Sequence, residues 1–274
     1  MAKGELYLVG IGLSEGQVSL EAIEALKRAD VIYVEGYTSA FPTRVSDYVS
    51  RLIGRDVHEV DRRVLEDESG GVVLKNALMG MRVALVAVGD PMMATTHSAL
   101  LSMASRLGVR VRVINGISII CASMGQAGLS IYKLGPVATV TYPRMGVLST
   151  RAYEVLSENL KRGLHTLLLL DIRDGGFMDF EDALAVLKDV ESRVGGGLLS
   201  SGILGIFESR VGWPDQSIAV SRLDKPPKLR EPGVIIVPGL LNPVEEEYLV
   251  NVLGADEGLV KGHVEVVRRL ANQP

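Results

Sequence analysis

Hydrophobic residues along this chain come in short runs, separated by segments with helical spacing. Leu6-Tyr7-Leu8-Val9 and Val31-Ile32-Tyr33-Val34 predict strands, and the helix between them, through Ile23 and Leu26, has Ser19 as its N-cap. A second helix is expected near Arg44–Ile53, a short strand around Val57–Val60, and a helix at Val72–Met79. The unbroken apolar run Val83-Ala84-Leu85-Val86-Ala87-Val88 reads as a central strand covered on both faces. Leu100, Met103, Ala104 and Leu107 mark one face of a helix, and Val109–Ile114 gives another strand. Such alternation builds right-handed βαβ units and a parallel sheet, which places a first α/β domain at residues 1–114.

Asn115-Gly116-Ile117-Ser118 reads as a joint, and the pattern changes beyond it. A helix from Ile119 to Gln126 ends near Gly128, then come a strand at Ala138–Thr141 and a helix with Ala152, Val155, Leu156 and Leu160 on one face. His165–Leu170 is expected as a buried strand, and Ala183, Val186, Leu187 and Val190 mark another amphipathic helix. After the loop at Gly195-Gly196-Gly197, the runs Ile203–Glu208, Ser217–Val220 and Val234–Val237 follow with no helix between them, so neighbours should be antiparallel. Asn242-Pro243 opens a helix over Val244–Leu253. The second domain, residues 115–274, is therefore α/β with a mixed sheet.

A chain of 274 residues, 47% hydrophobic and 23% charged, has enough material for two cores. No apolar run reaches the roughly 18 residues that span a bilayer. Cys121 is the single cysteine, so an internal disulfide framework is excluded, and a reduced, cytoplasmic setting without membrane attachment is expected. On an apolar helix Cys121 reads as a core residue. The net charge of −4 and pI near 5.7 argue against nucleic acid as a partner. His58, His97, His165 and His263 have no metal-ligand spacing, so no metal is expected.

Ligands of parallel sheets bind beyond the carboxyl ends of the strands, and two loops lie there. Gly10-Ile11-Gly12-Leu13-Ser14-Glu15-Gly16 approaches a dinucleotide fingerprint, with Glu35 in the place of a ribose-binding acid. The third glycine is one residue late, however, and Glu15 would oppose a pyrophosphate. Val88-Gly89-Asp90-Pro91-Met92-Met93 is, read simply, a turn before a helix capped by Thr95 or Thr96. Read functionally, Asp90 faces a cationic ligand and Gly89 lets the backbone approach it. His97 and His165 read as local hydrogen-bonding groups, Arg144 as a solvated loop residue or a partner for a substrate carboxylate. Glu245-Glu246-Glu247 reads as acidic residues at a helix start.

Gly-Asp-Pro after a buried strand, with Gly10-Ile11-Gly12-Leu13 after the first, resembles the tetrapyrrole-methylase-like class of S-adenosylmethionine-dependent methyltransferases. Longer strings are similar to archaeal diphthine synthases: residues 89–97 (GDPMMATTH), 132–135 (YKLG), 163–172 (GLHTLLLLDI), 237–239 (VPG) and 246–250 (EEYLV). The likeness runs from about residue 5 to 254.

The resemblance implies two α/β domains with a cofactor cleft between them, and a homodimer. It implies S-adenosyl-L-methionine as methyl donor and S-adenosyl-L-homocysteine as product. The acceptor would be translation elongation factor 2, on the amino group of its 3-amino-3-carboxypropyl-histidine, with three methyls added. The cofactor contacts it implies are Leu13, Asp90, Met93, Ser118, Ile119, Leu170, Val211 and Gly233, with no catalytic acid or base assigned. Met93 replaces a smaller aliphatic residue and Gly233 a histidine, so position 233 offers only its backbone. Three alternatives stay open: a methyltransferase acting on a corrinoid or porphyrinoid ring, a binding module that keeps the cofactor fold, and a nucleotide-dependent oxidoreductase.

Overall fold

The computed structural model describes residues 4–37, 39–63, 65, 70–173 and 176–272. The chain divides into two compact units, Met1–Ile119 and Ile120–Pro274.

In the first unit the elements run β1 (Glu5–Gly10), α1 (Leu20–Arg28), β2 (Val31–Glu35), α2 (Val45–Ile53), β3 (His58–Val60), α3 (Gly71–Leu78), β4 (Arg82–Ala87), α4 (His97–Arg106) and β5 (Arg110–Ile114). The sheet is parallel, in the order β3-β2-β4-β1-β5. Alternate side chains of each strand point to opposite faces. Tyr7, Val9, Val34 and Val86 pack against α1 and α2, while Leu6, Leu8, Val83 and Leu85 pack against α3 and α4. The Ser19 hydroxyl accepts from the Ala22 amide at 3.1 Å and so caps α1 as expected.

The crossover β1-α1-β2 leaves β1 on one face and in one direction. The crossover β4-α4-β5 leaves on the other face and runs the opposite way. Adjacent strands β4 and β1 therefore define the topological switch point of this sheet, whose carboxyl ends are where ligands of such sheets bind. Two details at α4 differ from expectation. Neither threonine caps it: Thr95 donates to the Pro91 carbonyl at 2.8 Å, Thr96 makes no capping bond, and the helix opens at His97. Leu107 falls just past the last turn and is exposed.

The second unit contains α5 (Ile119–Gln126) from its second residue on, β6 (Ala138–Val140), α6 (Arg151–Lys161), β7 (Thr166–Leu170), the short pair β8 (Ile172–Arg173) and β9 (Gly176–Phe177), α7 (Phe180–Val194), β10 (Leu204–Ser209), β11 (Ser217–Arg222), β12 (Gly233–Val237), α8 (Pro243–Asn251) and α9 (Glu257–Ala271). Its main sheet is mixed, in the order β11-β10-β12-β7-β6, with β6 and β7 parallel and the other pairs antiparallel. Phe207, Ile235, Val237 and Leu168 face α6 and α7. Cys121 is exposed on α5 and is not the core residue its apolar neighbours suggest.

A buried carboxylate ties this unit together. Glu245 completes a capping box with Asn242 at the start of α8. It also accepts from the Ser130 amide at 3.0 Å, from the Lys133 ammonium and from His165 Nε2 at 3.3 Å. So Glu245 does more than complement the helix dipole. His165 Nδ1 accepts from the Gly239 amide at 2.8 Å, which leaves Nε2 as the protonated nitrogen facing Glu245. His263 is fixed the same way, Nδ1 accepting from the Leu204 amide at 3.0 Å and Nε2 facing the Gly239 carbonyl at 3.3 Å.

Burial pushes His165 and His263 down to about 4, and pushes the Glu208 carboxyl on β10 up to about 8. Below the unfolded histidine value of about 6.5 the unfolded chain takes up protons that the folded histidines refuse. Stability is then lost as pH falls from 6.5 toward 4. Glu208 acts in the opposite sense: it keeps its proton when folded and releases it above about 4.5 when unfolded. Its contribution is therefore lost as pH rises from 4.5 to 8. Each group contributes at most about 1.4 kcal/mol per pH unit, and on the acid side two histidines outweigh one glutamate. Urea unfolding across pH 4–9 should show maximal stability near pH 6.5 from these groups, and E208Q should flatten the alkaline limb.

Candidate functional site

The carboxyl ends of β1, β4 and β5 are joined through glycines. Gly12 and Gly89 form a bridge, the Gly12 amide donating to the Gly89 carbonyl at 3.2 Å and the Gly89 amide to Gly12 at 2.8 Å. Gly10 and Gly116 close the same junction. A Cβ on Gly116 would lie 2.1 Å from the Gly89 carbonyl oxygen and 2.9 Å from the Gly12 amide nitrogen; one on Gly10 would lie 2.6 Å from that oxygen. Gly12 and Gly89 also hold φ of 74°, a left-handed conformation that glycine adopts without strain. These loops meet backbone to backbone, and a side chain at either point would force them apart.

Asp90 locks the junction from its side chain. One carboxylate oxygen accepts from the Met92 amide at 2.9 Å; the other accepts from Asn115 Nδ2 at 2.9 Å and the Gly116 amide at 3.3 Å. His97, at the end of the same loop, joins it through Nδ1 to the Pro91 carbonyl at 2.8 Å and through Nε2 to Glu35 at 2.8 Å. Glu35 thus lies buried against His97, unsuited to holding a ribose at the strand end, and the dinucleotide reading loses its acid.

The first-unit residues assigned as contacts occupy these loops. Leu13 is buried, its Cδ2 within 3.7 Å of where a Cβ on Gly89 would stand. The Met93 side chain is exposed, while its amide donates to the Asp90 carbonyl at 3.3 Å. Ser118 is buried in the segment after Gly116, and Ile119 begins α5. The second-unit residues share one end of the mixed sheet. Leu170 ends β7, Gly233 opens β12 opposite Ser209, and buried Val211 lies in the turn after β10, where the Arg210 amide donates to the Pro232 carbonyl at 2.8 Å. A Cβ on Gly233 would sit 2.4 Å from the Phe180 ring. Phe180 therefore fills the space next to Gly233, and no larger residue fits there without moving it.

Sequence reasoning missed Asn115 and Gly116 as partners of Asp90, having read them only as a joint. A polar-glycine pair right after a strand end was the signal available. Arg144 is exposed and pairs with Asp171 at 3.4 Å. Among the described residues no group of His, Cys, Asp or Glu is placed to hold a metal, and no helix is long and apolar enough to cross a membrane.

Residues 5–227 match the family model described as Tetrapyrrole (Corrin/Porphyrin) Methylases. A diphthine synthase of Pyrobaculum aerophilum is 45% identical over 250 residues, covering 89% of this chain and 96% of that protein. One of Saccharolobus solfataricus is 34% identical, covering 90% and 98%. A crystal structure of diphthine synthase superposes with a TM-score of 0.84 at 30% identity, over 94% of this chain and 99% of that one. The chain belongs to the tetrapyrrole methylase family and, within it, to the diphthine synthases, which makes it a methyltransferase.

Gly116 and Gly16 give a contrast within these loops, since a Cβ on Gly16 meets nothing within 4 Å. G116A should cost about 3 kcal/mol as the loops are pushed apart, whereas G16A should change stability by no more than about 0.5 kcal/mol. Denaturant unfolding of the two variants checks this directly.

Proposed function

We propose that this enzyme uses S-adenosyl-L-methionine to methylate the 3-amino-3-carboxypropyl-histidine of translation elongation factor 2, adding three methyls to its amino group. One observation carries the reading. The Gly89-Asp90-Pro91 loop lies at the switch point of a parallel sheet, locked to Gly10–Gly12 and Gly116, in a chain 45% identical to a diphthine synthase over 89% of its length. The donor contacts in this reading are Leu13, Asp90, Met93, Ser118 and Ile119 from the first unit and Leu170, Val211 and Gly233 from the second. Two features of the junction support such a ligand: its glycines carry no side chain to block approach to the backbone, and Leu13 beside them is apolar.

When bound, the donor supplies a methyl on a sulfonium whose charge disappears as the methyl moves in line to the nitrogen. The protein's task is alignment and exclusion of water, with the amine arriving neutral. Strong anionic stabilisation of the sulfonium would favour the ground state, so a carboxylate here serves best by orienting. Asp90, already accepting three N–H donors of its own chain, is built for that role. Gly233 offers the donor its backbone alone.

A ring-methylating reading rests on the breadth of the family; the diphthine synthase identity over nearly the whole chain favours the protein substrate. The deciding experiment incubates the enzyme with S-adenosyl-L-methionine and elongation factor 2 carrying the aminocarboxypropyl histidine. Mass spectrometry should show a gain of three methyls, and no mass gain would sink the assignment. D90A should bind S-adenosyl-L-methionine at least about tenfold more weakly by calorimetry, since a charged acceptor of several bonds is lost. Unchanged affinity would remove Asp90 from the site.

A further inference from the structure

Glu208, next to the last residue of β10, is fully buried, and neither of its carboxylate oxygens has a hydrogen-bond partner. Folded proteins nearly always pair such groups, because an unpaired buried carboxyl is costly. Its ladder neighbours are apolar, Ile218 on β11 and Val234 on β12. The buried Ser123 hydroxyl on α5 faces it and, as a donor, favours its ionised form, although the two do not reach full hydrogen-bond geometry. Charged groups flank it at both ends: Arg222, opposite Leu204 and paired with Asp224, and His263 at the Leu204 amide lie at one, and Arg210, paired with Asp215, lies in the turn two residues beyond Glu208 at the other.

The segments around Glu208 are those that carry the second-unit donor contacts. The Glu208 carbonyl lies 3.0 Å from where a Cβ on Gly233 would stand. Val211 follows in the turn at the end of the strand, where Arg210 holds φ of 53° and the Gly212 amide donates to Gln216. Gln216 in turn bonds Gln126 of α5, at 3.1 Å, and α5 begins with Ile119. One buried carboxyl thus sits beneath a hydrogen-bonded frame of β10, its turn and α5.

We propose that Glu208 is a positioning residue for the methyl donor: as a neutral acid it lets α5 and the turn at 210–212 pack on β10 in the arrangement that binds the donor, and its ionisation drives them apart. The inference rests on the donor contacts proposed above. Burial holds the Glu208 proton up to about pH 8, with Ser123 pulling the other way. Cofactor affinity should therefore weaken on the alkaline side while the protein remains folded.

The test is calorimetric affinity for S-adenosyl-L-methionine between pH 6.5 and 9, at temperatures below the unfolding midpoint at each pH. The donor's own amino group titrates in the same range, so the comparison with variants decides. If only the neutral form of Glu208 is competent, wild-type Kd should rise about tenfold between pH 7 and 9 relative to that of E208Q. S123A removes the group that favours the ionised form and should shift this rise to higher pH. A wild-type to E208Q ratio that stays constant across the range overturns the proposal. Should E208Q fail to fold, an S123A profile coincident with wild type overturns it instead. A wild type that binds no S-adenosyl-L-methionine even at pH 7 defeats the donor reading itself, a separate result.

Discussion

Three loops leave the carboxyl ends of β1, β4 and β5 and pass within backbone contact of one another, and side chains are excluded where they cross. That close approach, with no room for a Cβ at Gly10 or Gly116 and with Gly12 and Gly89 bridged, is the constraint on which the first unit's candidate site depends. With the backbones in register, Asp90 can reach Asn115 and the Gly116 amide from one oxygen and Met92 from the other. A charged acceptor with three donors is worth more than neutral pairs and is directional, so it fixes the relative position of loops that the chain separates widely. The glycines are thus explained by one another before any ligand is considered. This is also why Gly10-Ile11-Gly12 resembles a dinucleotide fingerprint without meeting its spacing: the first two glycines serve a loop crossing, and nothing at Glu15 has to meet a phosphate.

The second unit solves a different problem with the Glu245 carboxylate. Ser130 and Lys133 follow α5, His165 precedes β7, Gly239 follows β12, and Asn242 opens α8. A shared polar centre ties these segments together. Burying that centre is tolerable because every partner is satisfied; removing one would strand the others in a low-dielectric interior. The motif strings around Lys133, His165 and Gly239, so distant in sequence, converge here. They describe the framework of the unit, and the contacts proposed for the donor lie at the ends of its strands.

Most elements were legible because the chain alternates runs of period 2 with faces of period 3.6, punctuated by glycines and caps such as Ser19 and Asn242. Helix α9 went unread although its signal was present: Asp256 caps it, and Val260, Val264 and Val267 fall on one buried face. The pair β8–β9 is too short for any periodicity. Cys121 misled because apolar neighbours do not tell which side of a helix is covered. Glu208 was hidden for the opposite reason. It ends an apolar run as an ordinary polar terminus would, and only the fold reveals that it is buried. Burial of a single polar residue is a tertiary property with no local signature.

The treatment of titratable groups is consistent with a reaction governed by placement. His97, His165 and His263 each have both ring nitrogens engaged, by Pro91 and Glu35, by Gly239 and Glu245, and by Leu204 and Gly239. A histidine so fixed cannot turn to exchange a proton with a substrate without breaking a buried hydrogen bond. Asp90 is committed to backbone and amide donors in the same way. What remains adjustable is geometry: the separation of loops at the glycine crossing and the packing of strand ends around Gly233 and Val211. Phe180 illustrates the point, because it fills the volume that a side chain at position 233 would need. The backbone of β12 is held in place there by an aromatic wedge. Rigid placement of unreactive groups is what an in-line transfer between two bound partners requires.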